Sequence, residues 1–133
     1  SSNPTPNDLY NYCIGYRGAI NFKLGLFKQS QLDLENAIEL KPDYSYWHCQ
    51  FGALLYKQRN YDASLKELNH AISLFQSSKS KSQPLNKFQK VLMSEAHYYR
   101  GLLYKAIKDH QMANSDFKKA FELNPDLESQ KID

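Results

Sequence analysis

The segment Gly18-Ala19-Ile20-Asn21-Phe22-Lys23 has a counterpart 34 residues later, Gly52-Ala53-Leu54-Leu55-Tyr56-Lys57. The same offset carries Leu34 onto Leu68 without a gap. A third copy begins near Ser94, but its distance from the second copy is 49 residues, so fifteen extra residues separate them. A fixed period of this length is typical of repeat architectures, in which each unit packs on its neighbours.

Each copy has the apolar spacing of two helices. In the second copy Trp47, Phe51 and Leu54 recur at helical intervals, and Leu68 and Ile72 do so again after a polar break. Asn60 and Asp109 precede second helices, where a side-chain oxygen can cap free N–H groups. Gly25 can supply a positive φ at the turn of the first copy. Arg59 and Lys108 replace this glycine in the later copies and must accept the same backbone shape.

Small residues recur at fixed places and explain the period. A glycine in the middle of a helix costs about 1 kcal/mol relative to alanine, so three equivalent ones indicate close contact between helices. We therefore interpret a set of small residues and closing prolines as the structural signature of the repeat: Gly18, Ser30, Ala37, Pro42, Gly52, Ser64, Ala71, Gly101, Ala113, Ala120 and Pro125.

This signature resembles the tetratricopeptide repeat (TPR) family. The resemblance implies an all-α fold, a right-handed superhelix (α-solenoid) of three antiparallel helix pairs. The sequence departs from the family pattern at Arg17 and Arg100, where Leu is usual. It also departs at His48 and His97, where Trp or another large residue is usual. The predicted organisation is a lead-in at 1–10, repeats at 11–44, 45–78 and 94–127, an insertion with a helix extension at 79–93, and a tail at 128–133.

The insertion is predicted to be a polar loop followed by a lengthened first helix of the third repeat, from near Pro84 to about Lys105. It carries four lysines and no acidic residue: Lys79, Lys81, Lys87 and Lys90. They could form a docking arm for acidic peptide, nucleic acid or phospholipid. Because they are spread over twelve residues, a solvated loop is the favoured interpretation.

Composition argues against several other functions. A net charge of +3 is too small to indicate a nucleic-acid-binding protein. Cys13 and Cys49 are too few for a disulfide framework, and neither they nor the four histidines have metal-ligand spacing, so no metal and no cofactor is expected. There is no catalytic motif, no apolar run of membrane-spanning length and no signal peptide. The sequence therefore predicts a non-enzymatic, cytoplasmic protein.

In the resembling family the first helices line a concave face, and this predicts the binding surface. The nominated residues are Tyr12, Tyr16, Phe22, Lys23, Tyr46, Gln50, Tyr56, Lys57, Glu95, Tyr98, Tyr99 and Lys105. Aromatic anchors and lysines suit a peptide with apolar or aromatic side chains and an acidic flank. The predicted function is a protein–protein interaction scaffold that binds a partner's peptide segment in this groove. Alternatively, some of these tyrosines only bridge neighbouring helices.

Three further possibilities concern the kind of partner. Co-chaperones of the family bind a C-terminal carboxylate through Lys, Asn and Arg side chains at five places, which this chain fills with Gly15, Ala19, Gln50, Glu95 and Tyr99. No such carboxylate clamp is therefore expected. The tail after Leu123 looks too short and polar to cover the last repeat, so self-association through that apolar end is an alternative function. Weak nucleic-acid binding through the lysine-rich insertion is another.

Overall fold

The computed structural model describes residues 5–78 and 84–130, and every regular element in these two ranges is a helix. The helices are α1 (Pro6–Lys23), α2 (Phe27–Leu40), α3 (Ser45–Lys57), α4 (Tyr61–Ser78), α5 (Lys87–Ala106), α6 (His110–Leu123) and α7 (Asp126–Gln130). The first six form three helix pairs, and each pair packs on the next. The predicted all-α solenoid is confirmed.

The repeated glycines mark the places where the two helices of a pair touch. A Cβ atom added to Gly18 would lie 2.9 Å from Leu34 Cγ, and one added to Gly52 would lie 2.7 Å from Leu68 Cγ. The equivalent position in the third pair, Gly101, faces Phe117. Ser30 and Ser64 face these glycines from the second helices and donate hydrogen bonds to the carbonyls of Gly18 and Gly52, at 2.8 and 2.7 Å.

The turns within the pairs share one backbone conformation. Gly25 has φ 80°, and its counterparts Arg59 and Lys108 have φ 63° and 68°. The left-handed region costs a side-chain-bearing residue about 1–2 kcal/mol, so packing of the flanking helices must hold these two turns in place. Asp109 caps α6 as predicted, accepting a hydrogen bond from the Met112 amide at 3.2 Å.

The departures from the family pattern form a polar network inside the pairs. Arg17 makes two hydrogen bonds to Asp33, at 2.9 and 2.7 Å. Arg100 makes the same two bonds to Asp116, both at 2.8 Å. In the first and third pairs the basic residue that replaces Leu is therefore explained by an acidic partner on the second helix.

The middle pair has no equivalent arginine, because Phe51 occupies that position. A histidine, His48, makes the polar contact between its two helices instead. The two ring nitrogens of His48 donate to the Glu67 carboxylate at 2.7 Å and to the Pro42 carbonyl at 2.6 Å. Only a doubly protonated ring can donate twice. His97 in turn donates to Asp116 at 3.0 Å.

Helix boundaries differ from the predicted ones at the starts of α1 and α5. α1 begins at Pro6 because Thr5 and Asp8 form a capping box, so part of the predicted lead-in is helical. α5 begins at Lys87 and not near Pro84, because Asn86 and Gln89 form a second capping box. Of the polar loop predicted over residues 77–84, Ser77 and Ser78 instead end α4, and 79–83, with Lys79 and Lys81, lie outside the described residues. Lys87 and Lys90 are exposed on the first turns of α5.

The tail covers the last helix pair, contrary to prediction. Residues 126–130 form α7, and Leu127 packs against the apolar cluster of Tyr98, Leu102 and Ala120, together with Phe117 and Phe121 on α6. The end of the array that was expected to have nothing packed on it is therefore contacted by Leu127 of α7.

Candidate functional site

The residues nominated for the groove come from the first helices α1, α3 and α5 but differ in depth. Lys23, Lys57, Lys105 and Tyr16 are exposed, and Tyr12, Tyr56, Tyr99 and Glu95 are partly buried. Four others are buried, namely Phe22, Tyr46, Gln50 and Tyr98. These four therefore present little surface to a ligand.

Aromatic contacts join neighbouring helices along this face. Tyr16 packs edge-on against Trp47, with ring centroids 5.0 Å apart, and its hydroxyl lies 3.0 Å from that of Tyr44. Tyr99 contacts Phe22 at 6.1 Å and Tyr56 at 6.4 Å. The tyrosines therefore have the bridging role of the alternative interpretation, and only their remaining exposed parts are open to a ligand.

The first and third helix pairs also meet directly through side chains. Lys23 Nζ lies 3.6 Å from Glu95 Oε1, and beside this ion pair lies the contact of Phe22 with Tyr99. Burial raises the pKa of the Glu95 carboxyl, and the Lys23 ammonium partly offsets that rise. The charge of Lys23 is thus already used within the protein. We call these two contacts the cross-repeat bridge.

A cleft of about 440 Å³ opens next to this bridge. It is lined by Phe22, Lys23, Gly25, Phe27, Lys57 and Tyr99, and we call it the aromatic cleft. In the part of the chain that the structure describes, no carboxylate lies within ion-pair distance of Lys57. Lys57 is therefore the cation of this cleft that can serve an incoming negative charge. Three aromatic rings beside one such cation suit an apolar side chain next to an acidic one.

The sequence did not reveal Phe27 as part of this cleft. Phe27 belongs to α2, a second helix, and the repeat pattern identifies it only as the counterpart of Tyr61. It lines the aromatic cleft because it is the first residue of α2 and packs against Phe22, with ring centroids 6.0 Å apart. The remaining nominated lysine, Lys105, lines a separate cleft of about 310 Å³ with Tyr56, Leu102 and Ala106.

Gln50 is a buried amide without a hydrogen-bond partner in the described structure. Its side chain is fully buried, and neither its amide oxygen nor its amide nitrogen has a hydrogen-bond partner among residues 5–78 and 84–130. Gly15 and Ala19, two more of the five clamp positions, are buried as well. With Glu95 in an ion pair, the side chains at these places do not form a carboxylate-binding set.

No group of three or more His, Cys, Asp or Glu in the described ranges could hold a metal ion. None of the seven helices is long and apolar enough to cross a membrane.

Comparisons with known proteins agree with this architecture. Residues 94–127 match the family model described as "Tetratricopeptide repeat". The fold is similar to a solved structure of the first TPR of Spaghetti (RPAP3) bound to the HSP90 peptide SRMEEVD, with a TM-score of 0.68, 16% identity, and coverage of 86% of this chain and 79% of that one. A MamA RS-1 ArsTM double mutant matches with a TM-score of 0.47 and 18% identity, covering 97% and 80%. A comparison with curated proteins finds no significant match.

Proposed function

We propose that the chain is a tetratricopeptide-type, non-enzymatic interaction module that binds a peptide segment of a partner protein at the aromatic cleft; its residues 94–127 match the tetratricopeptide repeat model. The observation that carries this proposal is the position of Lys57, without an acidic neighbour, beside the rings of Phe22, Phe27 and Tyr99. The Spaghetti TPR domain, bound to an HSP90 peptide, is a precedent for peptide binding on a similar fold.

The ligand chemistry follows from the charges around the cleft. Lys57 can pair with a carboxylate, whereas Glu95 on the other side of Lys23 disfavours one. We therefore propose a segment with an aromatic or large aliphatic anchor and an acidic residue on the Lys57 side. A chain-terminal carboxylate gripped by a five-residue clamp is not part of this proposal, because Gly15, Ala19 and Gln50 are buried.

The cellular setting in this proposal is the cytoplasm. Cys13 on the surface and Cys49 in the core are both free thiols, which suits a reducing compartment. Nucleic-acid binding through the insertion is the weaker candidate, since Lys87 and Lys90 lie one turn apart and form no dense basic patch.

A selection from a displayed library of random dodecapeptides tests the proposal. We expect enriched sequences to combine an aromatic or large aliphatic residue with Asp or Glu. Binding of a selected peptide should weaken about tenfold or more in Lys57→Glu, equivalent to about 1.4 kcal/mol. Lys119→Glu makes the same charge change on an exposed residue of α6 that lines none of the described clefts, and should leave the affinity unchanged.

Lys57 is a better test position than Lys23, the other lysine of the cleft. Replacing Lys23 would leave the largely buried Glu95 without its partner, so reduced binding could reflect a disturbed fold. Equal losses in Lys57→Glu and Lys119→Glu would mean that only general electrostatic attraction was measured. Enrichment of peptides without acidic residues would contradict the proposed chemistry.

A further inference from the structure

Lys23 belongs both to the aromatic cleft and to the cross-repeat bridge. It lines the cleft together with Lys57, and its ammonium nitrogen lies 3.6 Å from the nearer carboxylate oxygen of Glu95. The Lys23 side chain is 55% exposed, whereas that of Glu95 is 20% exposed. A ligand in the cleft can therefore approach Lys23 from the solvent side, while Glu95 contacts the same ammonium from the protein side.

Lys23 is the cation that stabilises the charged form of Glu95 in the described structure. Burial raises the pKa of the Glu95 carboxyl, and Lys23, which faces it from α1, offsets part of that rise. The other ionisable groups beside Glu95 are Tyr46 and Cys49 on α3 and Tyr99 on its own helix. Burial raises the pKa of each of these three groups as well, so all three are neutral near neutral pH.

A negatively charged ligand group near Lys23 must therefore compete with Glu95. While Glu95 is charged, the ion pair has no net charge, so an acidic ligand residue beside it gains little attraction and is repelled by Glu95. When Glu95 carries a proton, Lys23 presents its full positive charge to the cleft in addition to that of Lys57. Protonation of Glu95 and binding of an acidic residue beside Lys23 must then favour each other.

We propose that Glu95 determines the ligand specificity of the aromatic cleft, because in its charged form it limits the cleft to segments with one acidic residue, on the Lys57 side. With Glu95 neutral, Lys23 becomes available, and the cleft accepts a segment that has acidic residues on both sides of its apolar anchor. This role of Glu95 rests on the proposed function and adds to it a dependence of ligand choice on protons. Glu95 acts through Lys23 and not by contact with the ligand.

Two peptides and one substitution test the specificity. The first peptide has an apolar anchor and one acidic residue and binds the wild-type chain; the second carries an additional Glu on the other side of the anchor. At about pH 7.5 the additional Glu should change the wild-type affinity by less than about twofold. In Glu95→Gln, which removes the charge and nearly preserves the shape, the additional Glu should strengthen binding about fivefold or more.

Glu122→Gln is the matched control for this substitution. It makes the same change of net charge on an exposed residue of α6 that lines none of the described clefts, so it should treat the two peptides as the wild type does. Retained binding of the first peptide by Glu95→Gln shows that the variant is folded and that its cleft is intact.

Proton uptake provides a readout that a change in packing alone would not produce. The acidic side chains of a peptide have pKa values near about 4, so they stay charged down to about pH 5. Between about pH 7.5 and pH 5 the wild-type affinity for the second peptide should rise as the pH falls, because more of Glu95 is protonated. Calorimetry near pH 5 in two buffers of different ionisation enthalpy should detect proton uptake on binding. Glu95→Gln should show neither effect, although it retains all four histidines.

The outcomes separate this inference from the proposed function. If Lys57→Glu weakens binding but Glu95→Gln does not favour the second peptide, the cleft is the binding site and the role given to Glu95 is wrong. If Lys57→Glu has no effect, both fall together. Equal gains in Glu95→Gln and Glu122→Gln would show an effect of net charge alone and overturn the inference. Absence of proton uptake by the wild type would overturn it as well, however the variants behave.

Discussion

The substitution Gly52→Ala tests whether close helix contact, and not backbone conformation, explains the repeated glycines. Alanine favours a helix interior over glycine by about 1 kcal/mol. The new methyl carbon would lie 2.7 Å from Leu68 Cγ, 2.8 Å from Leu68 Cδ2 and 3.3 Å from the Leu68 amide nitrogen. Ordinary contacts of this kind exceed 3.4 Å. Leu68 is fully buried and has little room to withdraw.

The two effects have opposite signs, and crowding should prevail. Overpacking in a close-packed core costs about 1–3 kcal/mol, and part of α4 must move because one of the contacts is with backbone. After the gain in helix propensity, we expect a net loss of up to about 2 kcal/mol. For a chain of this size, a loss of that size lowers the melting temperature by about 7 °C. Circular dichroism at 222 nm during heating and urea titration both measure it.

A double-mutant cycle separates crowding from other causes. Leu68→Ala alone should cost about 2–5 kcal/mol through the cavity that it leaves. In the Gly52→Ala background the same change should cost clearly less, because the methyl group occupies part of that cavity. Additive effects, or a melting temperature that rises in Gly52→Ala, would refute the close-contact explanation of the repeat.

Three further predictions concern buried polar groups. Burial lowers the pKa of His48, but its hydrogen bonds to Glu67 and to the Pro42 carbonyl outweigh this and raise it. The stability that protonated His48 contributes is therefore fully present below the unfolded pKa of about 6.5 and is lost as pH rises through the folded pKa. Urea titrations should show that the free energy of unfolding falls over this pH range, and the fall should be smaller in His48→Gln. Asp116→Asn should lower the free energy of unfolding by about 3–5 kcal/mol, because Arg100 and His97 lose a largely buried carboxylate partner. Asp33→Asn should lower it less, since the Arg17 side chain is 67% exposed. Equal losses in the two variants would contradict this ranking. Gln50→Met should raise the free energy of unfolding by about 1–2 kcal/mol by removing an unpartnered buried amide; a decrease would show that the amide is satisfied.

The fold could be predicted from sequence because its determinants are local and repeated. Gly18 and Leu34, sixteen residues apart, meet in the same way as Gly52 and Leu68, so one geometry accounts for every copy. The positive φ of Arg59 and Lys108 was similarly implied by Gly25 in the first turn. The start of α5 was misplaced because Pro84 and Asn86 are both good helix-start residues, and only the Gln89 side chain completes a capping box for Asn86.

The binding face was harder to predict, since periodicity gives the direction of a side chain but not its depth. Periodicity nominated Phe22 and Gln50 for the binding face, yet both side chains are buried. The pairing of Lys23 with Glu95 joins residues that are far apart in sequence and belong to non-adjacent repeats. No pattern within one repeat could indicate it. The same contact leaves Lys57 as the cation without an acidic partner in the aromatic cleft.

The cross-repeat bridge has a consequence for how the domain unfolds. In an ideal linear array each unit interacts only with its immediate neighbours, so terminal units can fray independently. Here Lys23 and Phe22 of the first pair contact Glu95 and Tyr99 of the third, and loss of either terminal pair therefore breaks contacts at the opposite end. The short array should therefore melt as one cooperative unit, because its first and third helix pairs stabilise each other directly.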